Sequence, residues 1–445
     1  MRRTGGSSVA EGIGIATGGE GKFFRRAVKV DEAQQHILTA ATGQTMASEL
    51  VPLAECGGRR LAQQLAATSD WPPFARSGLD GYAMRAADTA QATPDAPASL
   101  RIVATVAAGG IAAATVEQGT AARIMTGAAV PRGADAVVML EQTAEAVLAG
   151  GEEAVLIKAA ARPGQNVAPR GEEFRLGSPL ATPGTVIRPG HIALLGTFGY
   201  ANVPVYRRPR VAVFATGSEL LPVDAPLAPG RIRDSNSYMV AAMIRESGAE
   251  PLLCGTLPDK PEAVLAALAR VREQCDIVIT TGGVSVGDYD VMADIFRGMA
   301  SHSTEQTRHS YTLFNRVAMR PGSPTSGGVV DGKLVIALSG NPGACFVGFE
   351  LFARPALRAM QGDACPLLRS VKATLVTSIG KGSPHVRYVR IRLQQNSDGS
   401  LLADPLAFSK SSMMASLADA DGLAVIPSGS VGAEAGDLIE VLLLP

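Results

Sequence analysis

Cysteine is scarce. The 445-residue chain has five, at Cys56, Cys254, Cys275, Cys345 and Cys365, and no two form a Cys-x-x-Cys pair. An odd count at wide spacing excludes a disulfide framework or a thiolate zinc cage, and is the thiol usage of a reducing compartment. Charge of one sign is also lacking: 41 Lys and Arg balance 41 Asp and Glu. No long-range field therefore draws the chain to nucleic acid or to an acidic membrane. No apolar run approaches the roughly 18 residues a membrane span needs. Arg2 and Arg3 are followed by Thr-Gly-Gly-Ser-Ser, where a signal peptide would need an apolar stretch. A cytoplasmic protein is expected. Aromatics make up only 4 %, with one Trp, against 49 Gly and 28 Pro. That balance predicts many turns and loops lined by backbone.

A hydrophobic fraction of 46 % is enough to build real cores, and the length predicts about three domains. Residues 1–26 are rich in Gly and Ser without periodicity and read as a disordered tail. Apolar positions at Ala33, Ile37, Leu38 and Ala41 predict a helix over Asp31–Ala41, and a second helix is expected near Arg59–Ala67. Short β-rich runs over residues 98–160 predict a small β domain. Residues 163–206, broken by prolines and glycines, read as a return connection. From Arg210 strands alternate with helices for about 150 residues, which predicts a parallel, doubly wound sheet. After Pro366 only strand patterns recur, so the last 80 or so residues are expected to form an all-β domain. The fold class is α/β plus β, in several domains.

Three strands of the α/β region end in polar, Gly-bearing loops: Ala215-Thr-Gly-Ser-Glu219, Thr280-Thr-Gly-Gly-Val-Ser-Val-Gly-Asp288 and Leu338-Ser-Gly-Asn-Pro-Gly343. Ligands of open parallel sheets bind beyond the carboxyl ends of the strands, and glycine lets a phosphate approach the backbone. Three such loops point to a phosphorylated ligand; the plainer alternative is that the glycines only turn strands into helices. No Walker-type or dinucleotide-binding fingerprint occurs, which demotes kinases and dinucleotide oxidoreductases. Glu219, Asp259, Asp288 and Asp290 sit in or beside these loops. Carboxylates beside phosphate call for a hard cation, so Mg²⁺ is implied, although Asp259 and Asp288 could equally cap helices. Arg316 and Arg320, four apart with strand-like residues between, are expected on one face as an oxyanion clamp, or as a solvated strand face. The five histidines show no His-Glu-x-x-His pattern. Ser218 and Ser285 lie on turns without a Gly-x-Ser-x-Gly elbow, which argues against serine hydrolysis.

These loops, together with Ser77-Gly-Leu-Asp-Gly-Tyr-Ala-Met84, Met125-Thr-Gly-Ala, Gly133-Ala-Asp-Ala-Val-Val138 and Met319-Arg-Pro-Gly322, occur in the order seen in the MoeA family of molybdopterin molybdenumtransferases, related to the E domain of gephyrin. Over about residues 28–445 the chain resembles that family. The resemblance implies an elongated, discontinuous dimerisation domain (28–70 and 163–206), a small β domain (71–162), a molybdopterin-binding α/β domain (207–362) and a C-terminal β domain (363–445), after a tail at 1–27. It implies insertion of molybdenum from molybdate into adenylylated molybdopterin with release of AMP, a need for Mg²⁺, a homodimer whose sites are shared between chains, and an upstream adenylyltransferase as a possible partner. Asp80, Glu219, Asp259 and Asp290 match the family's catalytic residues, and Glu219, Asp288 and Asp290 are the metal candidates. Thr126, Thr216, Gly217, Ser218, Gly282, Gly283, Ser285, Arg316, Arg320, Gly340 and Asn341 fall at its substrate-binding positions. Three departures stand out: Ser323 replaces a common Lys, Leu338-Ser-Gly-Asn-Pro-Gly-Ala344 replaces the usual Leu-Pro-Gly-Asn-Pro-Val-Ser (Ser339 for Pro), and His385 and Arg387 stand roughly where Arg and Glu are common. An adenylyltransferase or pyrophosphatase of the same α/β type, or a non-catalytic molybdopterin-binding scaffold, are the competing readings.

Overall fold

The computed structural model describes residues 27–445 except 259, 285–290, 293, 297–309, 381 and 408–409. The chain divides into two compact units. One joins residues up to Thr45 with Arg208–Met360 and Ala364–Pro445; the other is Met46–Arg207 with Gln361–Asp363.

In the first unit, helix Val30–Thr42 buries Ala33, Ile37 and Ala41 and packs on helix Arg354–Met360. Residues 28–45 thus group with the α/β region and not, as the sequence suggested, with 46–70. The α/β sheet has the order Glu250–Leu257, Arg210–Thr216, Ile277–Thr281, Lys333–Leu338, Ser326–Val330, Tyr311–Phe314. The first four strands are parallel, and Ser326–Val330 runs antiparallel to both of its neighbours. The expected parallel sheet therefore carries an antiparallel edge. Its inner strands read as unbroken apolar runs because both faces are covered: Val211, Ala212, Val213, Phe214 and Ala215 are all fully buried. After Lys333–Leu338 the chain forms helix Pro342–Gly348, a π turn, Phe349–Ala353, and then helix Arg354–Met360. That turn carries Glu350, which accepts two hydrogen bonds from the buried Arg354 guanidinium, at 2.6 Å from Nε and 2.7 Å from Nη2.

The C-terminal strands close on themselves. Val386–Gln395, Leu401–Pro405, Ser370–Leu375, Leu438–Leu443 and Gly422–Ile426 pair in that order, and Gly422–Ile426 returns to Val386–Gln395. The barrel core is Leu375, Ile391, Ala403, Ala424, Val441 and their neighbours. Met319–Arg320 adds to its rim, parallel to Val386–Arg387.

In the second unit a six-stranded sheet runs Ala136–Met139, Gly81–Met84, Thr120–Ile124, Ala98–Val106, Glu153–Ile157, Thr143–Val147. Ser48–Pro52 pairs antiparallel with Asn202–Tyr206, from Ser48↔Tyr206 to Pro52↔Asn202. The helix expected near Arg59–Ala67 does not form. Leu61 N–H donates to Thr185 O at 2.9 Å and Ala62 N–H to Pro204 O at 2.9 Å, while Leu65–Ala66 pairs with Pro179–Ala181. Long-range ladder partners outcompete the local i→i−4 bonds, and Leu61 and Leu65 still reach one core as an extended chain. The region read as a return connection contains a helix, Pro189–Thr197, whose first turn is closed by Arg188 N–H donating to His191 Nδ1 at 3.1 Å. His191 is a helix cap.

Candidate functional site

Thr216, Gly282 and Gly340 meet where three parallel strands end. A Cβ on Gly282 would lie 2.4 Å from Thr216 O, and one on Gly283 would lie 2.8 Å from Thr216 Oγ1. Both glycines have positive φ, so close approach and backbone conformation each demand them. Gly282 N–H donates to Leu338 O at 2.9 Å, and Asn236 Nδ2 donates to Gly340 O at 2.8 Å. Neither Asn236 nor Asp234 was singled out from the sequence. Asp234 Oδ1 accepts from Ser237 N–H at 3.1 Å at the start of helix Asn236–Glu246. The only signal was a run of Asp, Ser and Asn ahead of a helical pattern.

Glu219 is exposed and folds over Gly217: a Cβ there would lie 2.6 Å from Oε2 and 2.7 Å from Oε1. Its loop is pinned by Ile232 N–H donating to Glu219 O at 3.0 Å and by the Arg231 guanidinium donating to Ser218 O. The Glu219 carboxylate makes no ion pair among the described residues. It lines a small cleft of about 60 Å³ with Thr216, Asp234, Asn236, Thr281, Gly340 and Pro342. Asp259, Ser285, Asp288 and Asp290 lie outside the described residues. Among those that are described, no three His, Cys, Asp or Glu side chains gather into a metal-binding group. An unpaired carboxylate over a glycine cradle still suits a hard cation, because Mg²⁺ takes one or two carboxylates and completes its shell with phosphate oxygens and water.

A larger cavity, about 510 Å³, opens on the other side of the same loop. Ser339 and Asn341 face it, whereas Gly340 and Pro342 face the Glu219 cleft. Its walls include Arg320, Arg387 and Lys410 and, among the described residues, no carboxylate. The expected pairing of Arg316 with Arg320 fails here. Ala318 N–H bonds Val28 O and Met319 N–H bonds Val317 O, so the chain between them turns and strand alternation is lost. Arg316 instead donates from Nε to Ser323 Oγ at 3.2 Å, and that hydroxyl donates to Val317 O at 2.8 Å. Under the cavity the buried Arg390 donates from Nε to Ser416 Oγ at 2.8 Å, and Gly343 N–H donates to Ser411 O at 2.9 Å. Burial pushes the Arg390 guanidinium pKa down.

In the second unit Asp80 Oδ1 accepts from Thr126 N–H at 2.6 Å and from Thr126 Oγ1 at 2.7 Å. The backbone donor first, and the hydroxyl second, hold this exposed carboxyl below the usual carboxylate range. The glycine after it is obligatory, since a Cβ on Gly81 would lie 2.0 Å from Val138 O.

Comparison with known proteins gives one consistent picture. Residues 28–199 match the family pattern described as MoeA N-terminal region (domain I and II), 212–359 a probable molybdopterin binding domain, and 372–444 the MoeA C-terminal region (domain IV). The chain is 41 % identical over 421 residues to a protein named molybdopterin molybdenumtransferase from Bacillus subtilis, covering 94 % of this chain and 95 % of that one. It is 38 % identical to one of the same name from Staphylococcus aureus, over 94 % and 96 %. The crystal structure of a molybdopterin biosynthesis MoeA protein from Pyrococcus horikoshii superposes with a TM-score of 0.78 at 30 % identity, over 94 % of this chain and 100 % of that one. With matching patterns from residue 28 to residue 444 and relatives aligned along nearly their whole length, the chain belongs to the MoeA family of molybdopterin molybdenumtransferases.

Proposed function

We propose that the chain inserts molybdenum from molybdate into adenylylated molybdopterin, releasing AMP, as a step of molybdenum cofactor biosynthesis in the cytoplasm. The observation that carries the reading is the two-sided Ser339–Pro342 loop, which walls both the cation-lined cavity and the Glu219 cleft. An oxyanion held by Arg320 and a phosphorylated ligand at the glycine loops would then be neighbours. Backbone at Thr216, Gly217, Ser218, Gly282, Gly283 and Gly340 receives the phosphate-bearing part, and Asn341 and Arg320 face the molybdate. Glu219, with Asp288 and Asp290 from the neighbouring loop, would hold Mg²⁺, which when bound neutralises phosphate charge. Asp80, Asp259 and Thr126 complete the proposed set.

The decisive assay is incubation with adenylyl-molybdopterin, Mg²⁺ and molybdate. AMP release that requires molybdate supports the transferase. Release without molybdate would assign an adenylyltransferase or pyrophosphatase activity, and binding with no turnover a scaffold. We further propose a two-fold homodimer in which Asp80 of one chain serves the site holding the other chain's Asp290, supplied with substrate by an upstream adenylyltransferase. Inactive Asp80→Ala and Asp290→Ala homodimers, mixed to full exchange, should recover roughly a quarter of wild-type activity. Persistent inactivity after verified exchange would place both residues in one chain's site.

A further inference from the structure

The Arg320 cavity holds a second guanidinium that sequence spacing did not bring to it. Met319–Arg320 runs parallel to the start of Val386–Gln395, and the register sets Arg320 opposite Arg387. Register partners on adjacent strands project from one face, and both side chains line the cavity. Like charges placed directly opposite each other are destabilising. These walls add a third cation, Lys410, and among the described residues contribute no carboxylate. Arg387 is held against its wall by donating from Nη1 to Gly380 O at 3.0 Å. Ser323, which also lines the cavity, is a neutral hydroxyl that donates to Val317 O and accepts from Arg316 Nε.

We propose that Arg387 is a direct second ligand of the oxyanion, beside Arg320 on the same wall of the cavity. The inference rests on the reading of this cavity as the molybdate site and names a residue that reading lacked. A tetrahedral dianion fits the arrangement: each guanidinium fork can donate to two oxygens, and two positive charges meet two negative ones. The bound dianion would offset the repulsion between the two neighbouring guanidinium groups.

The test is molybdate binding to the full-length protein by calorimetry at fixed ionic strength, without pterin. The variants are Arg387→Gln, Arg320→Gln and, as a charge control on the same strand, Arg392→Gln, whose side chain pairs with Asp419. Arg387→Gln is expected to weaken molybdate about tenfold or more, comparably to Arg320→Gln, while Arg392→Gln changes it less than about twofold. The molybdate-induced rise in Tm of Arg387→Gln should be smaller than that of wild type. If Arg320→Gln abolishes binding and Arg387→Gln does not alter it, the inference fails and the molybdate site stands. Equal weakening by Arg392→Gln would also overturn it, as a general charge effect. If wild-type protein binds no molybdate, the reading of the cavity falls and takes the inference with it.

Discussion

Two arginine-rich regions of the first unit use charge in opposite ways. Arg354 is 1 % exposed and matched within the chain: Glu350 takes two of its donors, Glu246 Oε2 a third at 2.7 Å, and Ser247 Oγ a fourth at 3.0 Å. Burial alone would lower its pKa, but Glu350 and Glu246 outweigh that and raise it. Around Arg320 the described walls carry cations and no carboxylate. Glu219, on the far side of the shared loop, is an acid without an ion pair among the described residues. Charge neutralised internally is architecture. A cavity whose described walls carry cations and no acid is a receptor for a ligand that brings negative charge.

The contrast breaks most visibly at Arg354. Arg354→Met leaves Glu350 buried and uncompensated, and should cost about 3–5 kcal/mol in urea denaturation. Adding Glu350→Leu should recover much of that loss, because a buried pair can be replaced by apolar residues at little cost. A smaller penalty, about 1–3 kcal/mol, is expected for Gly343→Val. Its Cβ would lie 2.6 Å from Arg390 Nη1 and 3.0 Å from Ser411 O, so molybdate affinity should fall with it. Glu219→Ala should lose turnover at a folding cost within about 0.5 kcal/mol, since the side chain is exposed and packs little. A much larger loss of stability would make Glu219 structural.

The smallest effect is a titration. Asp80 has a depressed pKa, so its contribution to stability is present above the unfolded carboxyl value and lost as pH falls through the folded one. Thr126→Val removes the hydroxyl donor and keeps the larger backbone one. The Asp80 pKa, followed by NMR, should therefore rise only part of the way to its ordinary value, and the acid-side loss of stability should shrink accordingly.

Local pattern made much of this legible. The helix at Val30–Thr42, the parallel strands and the Gly loops all announce themselves by periodicity and by glycine at strand ends. Most of the failures trace to partners distant in sequence. At Arg59–Ala67 helical spacing lost to ladder bonds with residues about 120 to 140 positions away. The Arg316–Arg320 spacing was legible, but the bonds to Val28 and Val317 that turn the chain between them were not. Arg387 reaches Arg320 through the pairing of two strands more than sixty residues apart, and Lys410 and Ser411 join the same cavity from further along the chain, which no window of adjacent residues encodes. Helix Pro189–Thr197 escaped notice because Ile192, Ala193, Leu194 and Leu195 give it no polar face to mark a period.

The antiparallel ladder between Ser48–Pro52 and Asn202–Tyr206 bears on how the molecule assembles. It brings together the two ends of a 162-residue excursion, Met46 to Arg207, at the spacing of paired strands. Left open, that excursion would be a long loop whose closure entropy must be met before the flanking segments could find each other. Once zipped, it presents the rest of the chain with a connection no longer than a hairpin turn. The helix at Val30–Thr42 and the strand at Arg210–Thr216 then become close neighbours along the effective chain. Their contact order falls, and the slow search for non-local pairing is shortened.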